Sequence, residues 1–466
     1  NKLFKIDFAA GNHAQYRWII FGQTSPGSNN FSIKCHQSGN GIFNFVGTKT
    51  DDNQLSGKAE QGQPQFLARY GRTLSLQQWK VLNAVLRCRT AALGGHVQKC
   101  NQCGHQRIQY NSCRNRHCPK CQAMARADWL EKRQSELLPV PYFHVVFTVP
   151  AGLRPLALQN KRVVYGILFQ AAAQTLLQVA ADAKHLGAKI GCLMVLHTWG
   201  QNLMHHPHVH CVVPGGGLAA DHSRWIGCQR KRREKLFFLP VKILSPVFRG
   251  KFIQLLKEAF QRGQLGFHGD LKPLQQPAAF QHRLNTAVRK DWAVYAKRPF
   301  GGPAQVLKYH ARYSHRVAIS SRRLVELSDD RVSFRYKDYA DGQRCKVMSL
   351  TTTEFMRRFL MHTLPSGFVR IRYFGFLANR YRKSLLQRCR VLLSDGSLPP
   401  PSQHANDVAQ PADTPSPTEI CPNCKAGKLV IIDTLPATGS SRPHFLITRK
   451  PVSARPPPKH APMLSV

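Results

Sequence analysis

The sequence predicts an α+β fold: a central antiparallel sheet flanked by helices, preceded by a small zinc-binding module. Three observations predict it. Tyr142 to Val149 (YFHVVFTV) is a β-branched and aromatic run bounded by prolines, the pattern of a buried strand. Ile190 to Thr198 and His208 to Val213 read as two further strands, and the nine residues between them favour an antiparallel pair. Cysteines in C-x2-C pairs crowd the segment before these strands, and helical apolar spacing recurs around them.

The elements follow in order. Residues 1–65 are rich in Gly, Asn and Ser with little periodicity, and a weakly ordered extension is expected there. The metal-binding module spans 66–138. It opens on a helix within 73–90, with apolar spacing at Leu76, Trp79, Val81, Leu82, Val85 and Leu86. The cysteine segment runs to Cys121, and a charged helix from Ala123 to Leu138 ends at Pro139 and Pro141. The main domain, 139–395, continues after its first strand with a long helix over 156–185 and helices near 248–262 and 278–297. Gly301-Gly302-Pro303 then opens a short helix bearing Tyr309 and Tyr313. A strand at 316–320, a hairpin of 324–327 with 332–336, and a helix from Thr352 to before Pro365 come next. A strand at 368–373 and a basic helix over 376–393 close the domain. Residues 396–466 form a Pro-rich linker and a basic tail carrying Cys421-Pro-Asn-Cys424.

Composition narrows the function. The 466 residues include 67 Lys and Arg against 24 Asp and Glu, a net charge of +43. An excess of that size calls for a polyanionic partner, most simply nucleic acid. No apolar run of about 18 residues is evident, so no membrane partner is expected. No secretory h-region follows Asn1 to Lys5. The missing initiator Met suggests a fragment or an upstream-extended frame. Five of the 14 cysteines lie between Cys100 and Cys121, which indicates metal binding in a reducing, cytoplasmic compartment.

His206-Pro207-His208-Val209-His210 carries the chemistry. Alternation on a strand sets His208 and His210 on one face, where two imidazoles can hold a divalent metal. A hard ion needs further ligands, usually oxygen. Gln201 could supply an amide oxygen; His197 and His206 are its rivals, although His206 reads with His205 and His222 more as a bystander. The metal's work would be to polarise a phosphate.

Helical spacing places Tyr309 beside Tyr313. A phenol is a poor nucleophile near neutral pH because its pKa is about 10. Beside a metal-polarised phosphate it can displace a DNA strand and retain the phosphodiester energy. Lys308, Arg312 and Arg316 surround the pair with positive charge.

Cys100-x2-Cys103 and Cys118-x2-Cys121 form a strong structural Zn2+ signal. Cys113, His96 and His117 are further candidate ligands, and Arg114 and Arg116 candidate phosphate contacts. Cys421 and Cys424 make half a site, a remnant or one completed elsewhere. Cys35, Cys192, Cys211, Cys228, Cys345 and Cys389 read as buried small apolar residues. Arg370, Arg372 and Arg380, interleaved with Tyr373, Phe374, Phe376 and Tyr381, suit a single-stranded nucleic-acid surface. The Gly215-Gly216-Gly217 run is a weak phosphate-loop signal, since no Lys-Ser/Thr follows it.

The segments CRTAALGGHVQKCNQCG (88–104), YNSCRNRHCPKCQ (110–122), HTWGQNLMHHPHVHCVVPGGG (197–217) and YHARYSHRVAIS (309–320) resemble the rolling-circle transposases of the insertion sequence 91 family. These are HUH endonucleases, named for a histidine–hydrophobic–histidine strand. The resemblance covers roughly 66–393 and implies a zinc module followed by an HUH nuclease domain. It makes His208 and His210 ligands of Mg2+ or Mn2+, and Tyr309 and Tyr313 paired nucleophiles. FTVP (147–150) looks like the first strand motif of that superfamily, and Gln201 is placed like the polar third ligand of replication initiators. The implied partner is DNA, chiefly single-stranded element ends and target, in a bacterial cytoplasm and on the nucleoid. Rival readings are a plasmid replication or mobilisation initiator with the same chemistry, a zinc-module DNA-binding protein without nuclease activity, and a histidine-triad nucleotide hydrolase.

Overall fold

The computed structural model describes residues 2–10, 14–22, 31–37, 42–43, 63–121, 136–228, 230–231, 235–236, 238–297, 318–328, 330–339, 341–394 and 420–438. The chain splits into two compact units, 1–88 with 112–414, and 89–111 with 415–466. The division falls inside the cysteine segment.

In the larger unit, β1 (Lys2–Ala10), β2 (Ala14–Gly22), β3 (Phe31–Gln37) and β4 (Ile42–Phe43) form an antiparallel meander. The stretch read as aperiodic does hold an alternation, with Phe4, Ile6 and Phe8 opposite Ile20, Trp18 and Tyr16. Helix α1 covers 63–70, and α2 (Leu76–Leu86) starts at Ser75. There the Ser75 hydroxyl accepts from the Gln78 amide while the Gln78 side chain reaches back to the Ser75 amide. Phe66, Val81, Leu82 and Leu86 pack against Met356 and Leu360.

The central sheet contains β7 (Tyr142–Thr148), β8 (Gly191–Trp199), β9 (His205–Pro214), β14 (Val294–Lys297) and β18 (Ile371–Gly375), in the order β14-β7-β9-β8-β18, all antiparallel. Alternation gives it two faces. Phe143, Val145, Phe147, Cys192, Met194, Leu196, Val209, Cys211 and Val213 enter one core with α4 (Lys161–Ala181) and α5 (Val241–Gln261). By length and composition α4 could cross a membrane, a run the sequence reading missed; 67% of its apolar window is buried inside the protein. The long helix expected over 156–185 breaks after α3 (Arg154–Gln159). Asn160 turns away there: its amide donates to Leu156 and Gly266 carbonyls, and its Oδ1 accepts from the Gly266 amide.

Helix α6 (Pro277–Val288) also ends before the expected 297. Trp292 is buried against Phe248 and Phe252, and the chain leaves that anchor as edge strand β14. The glycine run 215–217 is explained by close packing. A Cβ on Gly216 would meet the Ile226 carbonyl at 2.5 Å, and one on Gly217 the Lys189 carbonyl at 2.5 Å. It pairs as β10 (Gly216–Leu218) with β11 (Trp225–Gly227); the basic loop beyond forms the short pair β12 (Arg230–Lys231) and β13 (Lys235–Leu236).

A second sheet, β15 (Leu324–Leu327), β16 (Arg331–Asp338) and β17 (Arg344–Thr351), leads into α7 (Thr352–Met361). Instead of the strand expected at 316–320, the described residues 318–320 lead into a short 3-10 turn, Ser321–Arg323. Helix α8 (Arg382–Leu393) covers part of the sheet's other face, where Leu386 and Cys389 meet Tyr142 and Val212. The rest of that face carries histidines.

The smaller unit is a three-stranded antiparallel sheet. It joins β19 (Leu429–Leu435), β5 (Gly95–Cys100) and β6 (Gln106–Tyr110) in that order.

Candidate functional site

Strand register builds the site. His197 of β8 pairs with His208 of β9, and Val195 with His210. Alternation sends Val209 into the core and leaves His208 and His210 on the opposite face. One ring nitrogen each from His197, His208 and His210 lie within 4.8 Å of one another, close enough to share an ion.

Hydrogen bonds sort the nitrogens. His208 Nδ1 lies 2.7 Å from the His206 carbonyl, which makes Nδ1 the protonated donor and leaves the lone pair on Nε2. His210 Nδ1 lies 2.8 Å from Nε2 of buried His144 on β7, with the rings stacked. Trp199 stacks on His197 with centroids 4.7 Å apart. Each imidazole is thus held by a neighbour, as metal-binding histidines are.

The third group beside His208 and His210 is His197, one of the two rivals to Gln201. Gln201 lies in the turn after β8, where its carbonyl accepts from the Arg323 guanidinium. That turn is pinned by His362, whose Nδ1 meets the Thr198 hydroxyl at 3.1 Å and whose Nε2 meets the Leu203 carbonyl at 2.9 Å. His206 contributes its carbonyl, and burial followed by Arg154 lowers its imidazole to about 4. His205 faces the other way, 2.8 Å from the Tyr165 hydroxyl, and burial brings it to about 3. His222 sits in a loop at φ 62°. His144 was not singled out in the sequence, although it shares the strand alternation that reveals the others.

Tyr309 and Tyr313, with Lys308, Arg312 and Arg316, lie outside the described residues. The described chain stops at Lys297, paired with His144 across β14 and β7. It resumes at Ala318, buried with Leu203 and Phe334.

The four cysteines expected to share one zinc are divided between two clusters. Cys118 and Cys121 join Cys113 and Cys88, the last unrecognised in sequence because it lacks a C-x2-C partner. Their sulfurs stand 3.5–3.6 Å apart for the Cys88–Cys121, Cys88–Cys118 and Cys113–Cys121 pairs. Cys100 and Cys103 instead meet Cys421 and Cys424. The hairpin separates the two C-x2-C pairs because β5 and β6 carry Cys100 and Cys103 away into the smaller unit. His96 is half-buried and bonds Gln109 at 3.2 Å, and His117 accepts from the Leu364 amide at 3.4 Å; the metal-holding groups among the described residues include neither. Burial, with Arg116 adding to it, lowers His117 to about 3.

The proposed phosphate contacts also divide. Arg116 donates to the Phe368 and Pro365 carbonyls, fixing the cysteine loop to the connection between α7 and β18. Arg372 lies over the Phe169 and Phe368 rings at 4.4 and 5.0 Å. Arg370 is half-buried, and its pKa is lowered to about 10 by burial and Arg116. Arg116 and Arg372 are thus engaged within the protein. Arg114 and Arg380 remain exposed, Arg380 over the exposed Tyr381 ring. Among the cysteines read as buried, Cys192, Cys211 and Cys389 are buried, Cys228 is half-buried and Cys345 is exposed; the side chain of Cys35 lies outside the description.

Residues 191–384 match the family model described as "Putative transposase", and residues 58–149 match "Transposase zinc-binding domain". "Putative transposase y4qJ" of Sinorhizobium fredii is 52% identical over 375 residues, 78% of this chain and 90% of that protein. "Transposase for insertion sequence element IS801" of Pseudomonas savastanoi pv. phaseolicola is 29% identical over 307 residues, covering 65% and 70%. No solved structure matches the chain.

Proposed function

Because the chain belongs to the insertion sequence 91 family of transposases, we propose that it works by rolling-circle strand transfer, nicking one strand at an element end. Tyr309 or Tyr313 is the nucleophile. Its phenolic oxygen bonds to phosphorus, the bond from phosphorus to the 3′ oxygen breaks, and that oxygen leaves as a hydroxyl after taking up a proton. The 5′ end stays on the enzyme as a phosphotyrosine that conserves the bond energy. The other tyrosine cuts the target or resolves the transfer. The substrate is single-stranded DNA, and exposed Arg114 and Arg380 hold its backbone.

The observation that carries this reading is the convergence of His197, His208 and His210 on one sheet face. Two of these rings have one nitrogen already engaged, by the His206 carbonyl and by His144, which fits a divalent donor set. These residues would hold Mg2+ or Mn2+, which when bound supplies Lewis-acid polarisation of the scissile phosphate. His144 and the His206 carbonyl keep the rings oriented. The cluster of Cys88, Cys113, Cys118 and Cys121 would hold a structural Zn2+ that folds the loop bearing Arg116, which donates to the connection between α7 and β18.

The test is incubation of the full chain with Mn2+ and single-stranded oligonucleotides tiling the ends of its own element. Mass analysis should find DNA linked to a peptide containing Tyr309 or Tyr313. An adduct that persists in the Tyr309→Phe/Tyr313→Phe double variant refutes the assignment.

A further inference from the structure

We propose that Cys100, Cys103, Cys421 and Cys424 bind a second zinc ion, so that the C-terminal C-x2-C completes a zinc ribbon begun near the N-terminus. The matched zinc-binding domain ends at residue 149 and does not reach the second pair.

The sulfur spacing fits one ion. Cys100 and Cys424 sulfurs are 3.7 Å apart, as are those of Cys103 and Cys421. A tetrahedral zinc with bonds of about 2.3 Å sets its sulfurs about 3.8 Å apart, whereas a disulfide needs about 2 Å.

The backbone forms a knuckle at each pair. In the first, the Gln102 and Cys103 amides point at the Cys100 sulfur at 3.4 and 3.5 Å, and Gly104 turns the chain at φ 68°. In the second, the Gly427 amide points at the Cys424 sulfur at 3.3 Å, and Lys425 turns the chain at φ 59°. Amide donors of this kind stabilise thiolate, the form that ligates metal. The knuckles also grip each other: the Lys428 amide donates to Asn101 Oδ1 at 2.8 Å, and the Asn101 amide to the Lys428 carbonyl at 3.1 Å. Gly427 must be glycine, since a Cβ there would lie 2.4 Å from the Cys100 sulfur.

The ion would close a very long loop. Cys103 and Cys421 are 318 residues apart, and β19 pairs with β5 along Leu429 to Leu435. Loop-closure cost grows only slowly with length, so one metal clip can fix so distant a strand. Without β19, β5 would present an unpaired edge.

The test uses the zinc-loaded full chain under reducing conditions. Pulse alkylation with iodoacetamide, then peptide mass mapping, should find Cys100, Cys103, Cys421 and Cys424 protected until zinc is chelated, with exposed Cys345 labelled throughout. Labelling of Cys421 and Cys424 at the Cys345 rate while zinc is bound overturns the proposal. So does protection that yields only to stronger reductant, which would mean disulfides. In cobalt-substituted protein, Cys421→Ser/Cys424→Ser should lose about half the thiolate-to-cobalt absorption, in the ratio of four to eight sulfurs. The remainder, from the Cys88 cluster, reports that the variant is folded. Undiminished absorption also overturns the proposal, and if that variant fails to fold the wild-type alkylation map decides.

Discussion

His144 Nε2 stands 2.8 Å from His210 Nδ1, with the ring planes 10° apart. The contact joins neighbouring strands of the central sheet and decides which nitrogen of His210 is left for an ion. His144→Ala is therefore expected to weaken divalent-metal affinity about 10- to 100-fold, with nicking restored at high Mn2+. The check is the Mn2+ concentration for half-maximal nicking. An unchanged curve contradicts the orienting role.

His197 and Gln201 make opposite predictions. His197→Ala should reduce nicking by more than about 100-fold, beyond the range typical of outer-shell changes, and match His208→Ala. Gln201→Ala should stay within about threefold of the parent, because the contribution Gln201 makes is its main-chain carbonyl, which accepts from the Arg323 guanidinium and survives the substitution. Single-turnover nicking at saturating Mn2+ separates them, and the reverse order would restore the amide as third ligand.

The arginines divide by what they touch. Arg114→Ala and Arg380→Ala should each weaken single-stranded DNA binding and reduce the salt-dependence slope by about 1. Arg372→Ala should leave that slope in place and instead cost about 1–2 kcal/mol of stability, from its lost position over Phe169 and Phe368. Binding titrations at several salt concentrations and thermal melts distinguish the two groups.

Glu354 gives a pH signature. Arg357, then Arg358, hold its carboxylate at about 2, below the ordinary 4.5, through contacts of 2.6–2.8 Å. Arg358 also donates to the Asn202 carbonyl, tying α7 to the turn after β8. A depressed folded pKa stabilises the protein above the unfolded value, and the benefit fades as pH falls from about 4.5 to about 2. Glu354→Gln should cost about 1 kcal/mol at neutral pH, discounted for partial exposure, and the deficit should shrink through that acid window. Denaturant unfolding at pH 7 and at pH 3 to 4 tests it; a deficit independent of pH rules it out.

The alternation of Val209 between His208 and His210, the antiparallel pairing of two nearby strands and the C-x2-C spacing were legible because each is local. A strand's period of two and a knuckle's reach depend on neighbours a few residues away. Continuous helices were read too far, through Asn160 and past Trp292, because the contacts that end them come from Gly266 and from Phe248 and Phe252.

By itself the sequence determined the chemistry: imidazoles on one strand face, thiols in knuckle pairs, a cationic chain suited to DNA and membership in a transposase family. Only the tertiary structure decided the partners. It set His197 beside His208, His144 behind His210, Cys88 with Cys118, and Cys421 with Cys103. The physical reason is that ligand geometry is fixed by strand register and chain return, which join residues as much as 318 positions apart, and no local periodicity encodes a distance of that kind.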